Sequence, residues 1–199
     1  QTHLTFGPMF GHQYTHIWVD LRGIKYEFMW PLNMDYFENS RRAVLAQRAY
    51  AIRNPMDWRG YGPNIWGLTA CDGPGEHELV YLGQKRRFHS YGARGVGLRT
   101  VVDDGTIAPT AAIGSLPFAP EVVVPAIHAM HRLYGRYIYG KYGFVDAFNP
   151  SFDYDVPLRH GRRVRGMGWA DDEYLGIDQG PIISMIENHR SELIWSVMK

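Results

Sequence analysis

Amphipathic helical segments separated by long, polar, glycine-rich stretches constrain this chain most. The first segment runs from Pro8, a favoured first-turn residue, to about Asp20, with Phe10, Tyr14, Ile17 and Leu21 at helical spacing. A second opens at Asp35, with Glu38 three residues later in a capping-box pattern, and carries Phe37, Val44, Leu45, Ala49 and Ile52. It stops before Asn54-Pro55. The stretch "TIAPTAAIGSLPFAPE" predicts a short helix, a break at Leu116-Pro117 and a new helix from Pro120. That helix carries Val123, Val124, Ile127, His131 and Tyr134, ends at Gly135, and has Pro125 early in it. Two last helices are expected over about 178–188 and 191–198, with Ser191 as an N-cap. Between them, "ELVYLG" and "LRTVVDDGTIA" fit short strands, with Asp104-Gly105 as a tight turn. Residues 139–176 read mostly as loop. No linker divides the chain, so residues 1–199 are expected to form a single, mainly helical domain of about six helices. Loops this long inside a compact domain usually carry function.

Composition narrows the classes of function. A chain of 199 residues, 45% of them hydrophobic, can bury a core. The formal net charge of +1 gives no electrostatic case for nucleic acid or an anionic membrane. The basic runs Lys85 to Arg87 and Arg159 to Arg165 fit solvated loop charge. One cysteine, Cys71, excludes an internal disulfide framework. No apolar run reaches the roughly 18 residues of a membrane span. No signal-peptide pattern is visible from Gln1.

His12 and His16 stand four apart in "GHQYTHIWVD", the spacing of a zinc-protease helix. The residue after the first histidine is Gln13, which cannot act as the general base, and no third strong ligand follows, so no metal is expected. Other constellations are weaker. Cys71 sits in what reads as an apolar helix end, no G-x-S-x-G occurs, and "GARGVG" lacks dinucleotide-binding spacing. Carboxylates recur instead at helix and loop junctions: Asp72, Asp104, Asp146 and Asp178. Asp-Gly is often a turn, and an aspartate before a helix is often a cap. Asp146 stands out because Phe144, Phe148 and Asn149 surround it and no glycine follows it. Aromatic residues make up 14% of the chain, and many lie beside Gly, Asn or Asp, which suits sugars: rings pack on C–H faces while polar neighbours bind hydroxyls.

The segments "FGHQYTHIWVDLRGI", "DYFENSRRAVLAQRAY", "WGLTACDGPG", "DDGTIAPTAAIGSLPFAPE", "YGKYGFVDAFNPSF" and "YLGIDQGPIISMIENHRSELIW" together resemble the bacterial glucoamylase-like glycoside hydrolases. This family includes endo-β-1,2-glucanases and a domain of cyclic β-1,2-glucan synthases. The resemblance implies an (α/α)6 toroid, of which this chain corresponds to the C-terminal half, about three helical hairpins with long loops and minor β structure. It implies inverting hydrolysis of β-1,2-glucan, with an α-glucan as the alternative substrate and a non-catalytic carbohydrate-binding half-domain as the alternative role. By position the family's general base falls on Asp146. The family's acid is a glutamate of the N-terminal half and has no counterpart here. His12, His16 and Asp20 would then belong to an inner helix facing the sugar cavity. Trp66, Asp72, Asp104, Asn149, Trp169 and Gln179 fall in family loops that would bind sugar. The implied partners are a glucan, the missing half-domain or a second copy, with no cofactor and no nucleic acid. A periplasmic or secreted bacterial location follows from the resemblance alone.

Overall fold

A computed structural model describes residues 6–199. Six α-helices carry it: α1 (Phe10–Trp18), α2 (Tyr36–Arg53), α3 (Pro109–Ile113), α4 (Pro120–Ile138), α5 (Gly176–Ser191) and α6 (Leu193–Val197). A 3-10 turn over Glu27–Leu32 joins α1 to α2. Between α2 and α3 lie six short strands: β1 (Ala70–Asp72), β2 (His77–Tyr81), β3 (Gln84–Phe88), β4 (Tyr91–Ala93), β5 (Gly95–Val96) and β6 (Val101–Val102). Between α4 and α5 lie five more: β7 (Tyr139–Gly140), β8 (Gly143–Phe144), β9 (Phe148–Asn149), β10 (Arg162–Val164) and β11 (Gly168–Ala170).

The caps follow the sequence closely. The Asp35 carboxylate accepts from the Glu38 N–H at 2.7 Å, and Asn54 ends α2 in the left-handed region at φ 41°. α3 begins on Pro109 and is wholly buried, packed against α4 and α5. Gln13 of α1 donates to the Ala111 carbonyl at 3.0 Å and to Ser115 Oγ at 2.9 Å. This ties α1 to carbonyls near the end of α3 that the short helix leaves open. Gln47 does the same for the loop after α2, exchanging bonds of 2.7 and 2.8 Å with Leu68.

Several expectations are corrected. α4 passes through Gly135 and ends at Ile138, because the Ile138 and Phe144 region pairs as the hairpin β7–β8 and holds the last turn. Ser191 is the last residue of α5 rather than the cap of a separate helix, although its hydroxyl accepts from the Leu193 N–H at 3.3 Å. The basic run Lys85 to Arg87 forms β3, paired with β2 through a turn at Leu82 (φ 48°) and Gly83 (φ 78°). Two successive positive φ angles match the right-handed strand twist of a tight hairpin. Arg162 and Arg163 likewise lie on β10, which with β11 and β9 makes a three-stranded antiparallel sheet inside the stretch expected as loop. Cys71 lies on β1, not at a helix end. The buried side of α1 is His12, Gln13, His16 and Ile17, so its polar residues face the protein interior.

The core is rich in aromatic rings. Phe88 meets Phe152 edge-on at 5.0 Å and Trp58 at 5.9 Å, and Phe148 packs on Tyr134 at 4.9 Å. Gly105 turns at φ 83° directly under the Trp58 ring, where a Cβ would come within 2.9 Å of ring carbons. No helix among the described residues is long and apolar enough to cross a membrane.

Candidate active site

The short connection between β8 and β9 carries Asp146. Its N–H donates to the Glu173 carbonyl at 3.1 Å, and the next carbonyl, of Ala147, accepts from the Asp171 N–H at 3.0 Å. Backbone pairing therefore zips residues 146–147 to 171–173 and sets two aspartates side by side. Asp178, in the first turn of α5, completes the group from a third direction. Its side chain favours that position through the helix dipole. Asp72, the last residue of β1, lies on the fourth side and donates its backbone N–H to Asp146 Oδ2 at 2.7 Å.

The three inner carboxyls are buried: Asp171 is 0%, Asp146 1% and Asp178 4% exposed. Among the described residues, no lysine or arginine pairs with any of them, and Asp171 Oδ2 and Asp178 Oδ2 lack a hydrogen-bond partner. Burial without a counter-charge disfavours ionisation. Burial, then the charge of Asp178, raises Asp146 above the ordinary carboxyl range. Burial pushes Asp171 up to about 7. Asp178 is raised as well, again chiefly by burial, and its carboxyl is in hydrogen-bonding contact with that of Asp146. These two titrate as one unit that holds a proton into the neutral range.

The rim is partly exposed. His160 Nδ1 stands 3.7 Å from Asp72 Oδ2 and 3.8 Å from Glu173 Oε1. Tyr14 of α1 donates to the Ile177 carbonyl at 3.5 Å, and burial together with Asp178, Tyr91 and Asp146 raises its hydroxyl. Tyr91, paired with Asp72 across β1–β4, is 60% exposed. Oxygens of Asp72, Asp146 and Asp171 lie within 4.8 Å of one another. A hard cation held there would be coordinated by these carboxyls in their ionised form. Where no cation is held, the raised carboxyls can accept, hold and release protons beside a hydroxylic ligand.

The residues expected from sequence separate in space. Asp146 and Asp72 belong to the cluster. Asp104 does not. It is 2% exposed and forms a two-point pair with Arg94 at 2.6 and 2.7 Å. Asn149 is fully buried and donates to the Asp104 carbonyl at 2.9 Å. Trp169 is fully buried, and its indole N–H donates to the His160 carbonyl at 2.8 Å, so it supports the rim from behind. Trp66 is 1% exposed in the core. His12 and His16 face the α2 side of α1, away from Tyr14. His12 Nε2 is 2.9 Å from the Phe6 carbonyl and His16 Nε2 3.1 Å from Ser40 Oγ. Asp20 lies beyond the end of α1 and pairs with Arg22 at 2.7 Å. Gln179 donates to the Phe144 carbonyl at 2.7 Å and lines an apolar cavity of about 420 Å³ between α4 and α5.

Sequence reasoning passed over Asp171, Tyr14, His160 and Glu173, and weighed Asp178 both as a candidate carboxylate and as a helix cap. The signal for Asp171 was an Asp-Asp pair directly after Trp169-Ala170. Tyr14 was hidden by helical spacing, which placed it with the apolar residues.

Comparison with known proteins gives a consistent result. A family described as "Putative glucoamylase" matches residues 1–199. The exo-β-1,2-glucooligosaccharide sophorohydrolase (non-reducing end) of Parabacteroides distasonis is 30% identical over 191 residues, covering 96% of this chain and 22% of that protein. The fold is similar to that of a crystal structure from Bacteroides uniformis described as a putative glucoamylase (TM-score 0.74, 37% identity, 96% of this chain and 37% of that one). It is also similar to an endo-β-1,2-glucanase from Chitinophaga pinensis in complex with sophorotriose and glucose (TM-score 0.72, 34% identity, 96% and 37%). The chain thus spans well under half the length of these relatives.

Proposed function

This chain belongs to the glucoamylase family that matches it over residues 1–199, and from that premise we propose that it supplies the general base and part of the sugar cavity of an inverting hydrolase of β-1,2-glucan. The observation that carries this proposal is the buried, uncompensated carboxyl cluster around Asp146. The names of the relatives, a β-1,2-glucooligosaccharide sophorohydrolase and an endo-β-1,2-glucanase, support the substrate class.

Inversion needs an acid at the glycosidic oxygen and a base that takes a proton from attacking water, with carboxyls ~6.5–9.5 Å apart. The cluster oxygens of Asp72, Asp146 and Asp171 are within 4.8 Å of one another, and Asp178 touches Asp146. Groups that close cannot flank a glycosidic bond with water between them. They act together as the base, and the acid comes from another part of the complete domain. Asp146 and Asp178 share one proton and retain one negative charge. That charge draws the proton from water as its oxygen bonds to the anomeric carbon. The Asp72 N–H favours the ionised form of Asp146 and so works against the burial that holds a proton there. Tyr91 and His160 on the rim offer a ring face and a polar edge to sugar.

The six helices then make about three hairpins of an (α/α)6 toroid. The apolar cavity between α4 and α5, with Ile183 beside it 66% exposed, is the kind of surface a further hairpin would cover. In the longer protein, Asp146→Asn is expected to lower turnover of linear β-1,2-glucan by roughly 10²–10⁴-fold with the fold unchanged. Near-normal release of oligosaccharide by a folded variant would remove Asp146 from the mechanism.

A further inference from the structure

Arg94 is 0% exposed, an expensive place for a guanidinium. Its donors are all used. Nε and Nη2 bind the two oxygens of Asp104 at 2.6 and 2.7 Å, and Nη1 donates to the Cys71 carbonyl at 2.7 Å. Longer contacts reach Cys71 Sγ (3.2 Å), the His89 carbonyl (3.3 Å) and the Asp72 and Gly92 carbonyls (3.4 Å each). The guanidinium therefore clasps β1 to the turn before β4. Gly73 belongs to the same arrangement: a Cβ there would come within 2.5 Å of Arg94 Nη2.

The Cys71 carbonyl and the Asp72 N–H are two ends of one peptide unit. A trans peptide is planar, so its C=O and N–H point in opposite directions, and fixing one aims the other. Here Arg94 holds the oxygen end at 2.7 Å, and the N–H end reaches Asp146 Oδ2 at 2.7 Å. A cation, a peptide dipole and a carboxyl stand in line, an arrangement in which each hydrogen bond strengthens the next.

We propose that Arg94 is a positioning residue for Asp146, acting through the Cys71–Asp72 peptide without touching any reacting atom. The placement stands on geometry alone; its consequence for turnover rests on the proposed role of Asp146 as base. The other groups facing Asp146 are Asp178 from α5, Asp171 after β11, Asp72 and the Cys71 thiol from β1 and Tyr14 from α1, with His160 and Glu173 beyond Asp72. None of these is a cation held against Asp146, so the polarised peptide is the main device favouring its ionised form.

The test is a titration of the Asp72 amide by ¹H–¹⁵N NMR on this chain, paired with the pH profile of kcat/KM in the longer protein. In the unaltered chain the Asp72 proton should move with the ionisation of Asp146, and Asp146→Asn should abolish that movement. Arg94→Lys keeps the charge beside Asp104, but one ammonium nitrogen cannot reproduce the three short bonds of the guanidinium fork, so its hold on the Cys71 carbonyl is weakened. It should raise the midpoint seen at Asp72 by about one pH unit, because a hydrogen bond to the ionised form is weakened. The acidic limb of kcat/KM should rise equally, with KM little changed. If Arg94→Lys does not fold, the double variant Arg94→Met/Asp104→Leu removes both charges together, and the same shift is expected. An unaltered Asp72 midpoint in a folded variant overturns the proposal. A shifted amide midpoint with an unshifted kinetic limb upholds the positioning role and instead overturns Asp146 as base.

Discussion

Asp104 and Asp146 have nearly the same exposure, 2% and 1%, and opposite electrostatic states. Burial pushes both carboxyls up. At Asp104 the charge and hydrogen bonds of Arg94 outweigh burial and hold the carboxyl below its ordinary range. At Asp146 the nearest charged neighbours are other carboxyls, which add to burial. One aspartate is a structural anion. The other belongs to a group that stores protons. Burial alone does not mark a site; an unmet need for positive charge does.

The contrast is tested most severely by removing the counter-charge logic on one side. Asp104→Ala leaves Arg94 buried without its partner and is expected to cost about 3–5 kcal/mol in urea unfolding, enough to threaten the fold. Asp178→Asn removes a carboxyl of equal burial from the cluster. At pH 7 it should be neutral or stabilising by about 1 kcal/mol, because the pair's uncompensated buried negative charge is removed while the asparagine can still hydrogen-bond to Asp146. Equal losses from the two variants would break the comparison.

The pH dependence gives the next largest effect, with opposite signs at the two places. Asp171 binds its proton up to about pH 7 in the folded chain, whereas an unfolded aspartate loses it near 4. Between those values the native state holds more protons, so this group makes stability fall as pH rises. Asp104, depressed in the fold, contributes stability that is present above the unfolded value and is lost as pH falls through the folded one. Urea midpoints are therefore expected to decline from about pH 5 to pH 7.5 by the equivalent of ~1–3 kcal/mol, and Asp171→Asn should flatten that decline. A midpoint that climbs steadily over this window, unchanged in Asp171→Asn, would show the cluster to be ionised already.

Much of the helical framework was legible because its signals are local. The Asp35 cap, the stop at Asn54-Pro55 and the prolines opening α3 and α4 each act within one turn. The sites were legible only in part, because their chemistry is set by neighbours distant in sequence. "DDGTIAP" and "FVDAFNP" both look like polar loop chemistry, yet only the first meets an arginine, ten residues upstream. Asp146 is brought to Asp72 across 74 residues by a strand end and a backbone bond that no periodicity announces. Helical spacing even misled at α1, where three polar side chains turn inward to satisfy α3, α2 and Phe6, and Tyr14 reaches toward Asp178. Asp146 lies beside Asp72, whereas Asp104, Asn149 and Trp169, named with them from the family resemblance, make buried hydrogen bonds away from the Asp146 carboxyl.

A third pair sharpens what compensation is worth. Arg163 binds Asp153 at 2.8 Å on the surface, with side chains 41% and 37% exposed. It makes one short Nε–Oδ1 bond where Arg94–Asp104 makes two, and the larger difference between the pairs is their access to water. Water already satisfies both Arg163 and Asp153 in the unfolded chain and continues to do so when the pair is broken. Arg163→Ala is therefore expected to cost only about 0.2–1 kcal/mol, and 1 M salt should erase most of that loss by screening. The cost of Asp104→Ala should persist at the same salt, because ions do not reach a pair with 0% and 2% exposed side chains. If high salt rescued Asp104→Ala and left Arg163→Ala untouched, water would be reaching the interior pair, and the separation between a compensated core charge and an uncompensated site charge would fail at its base.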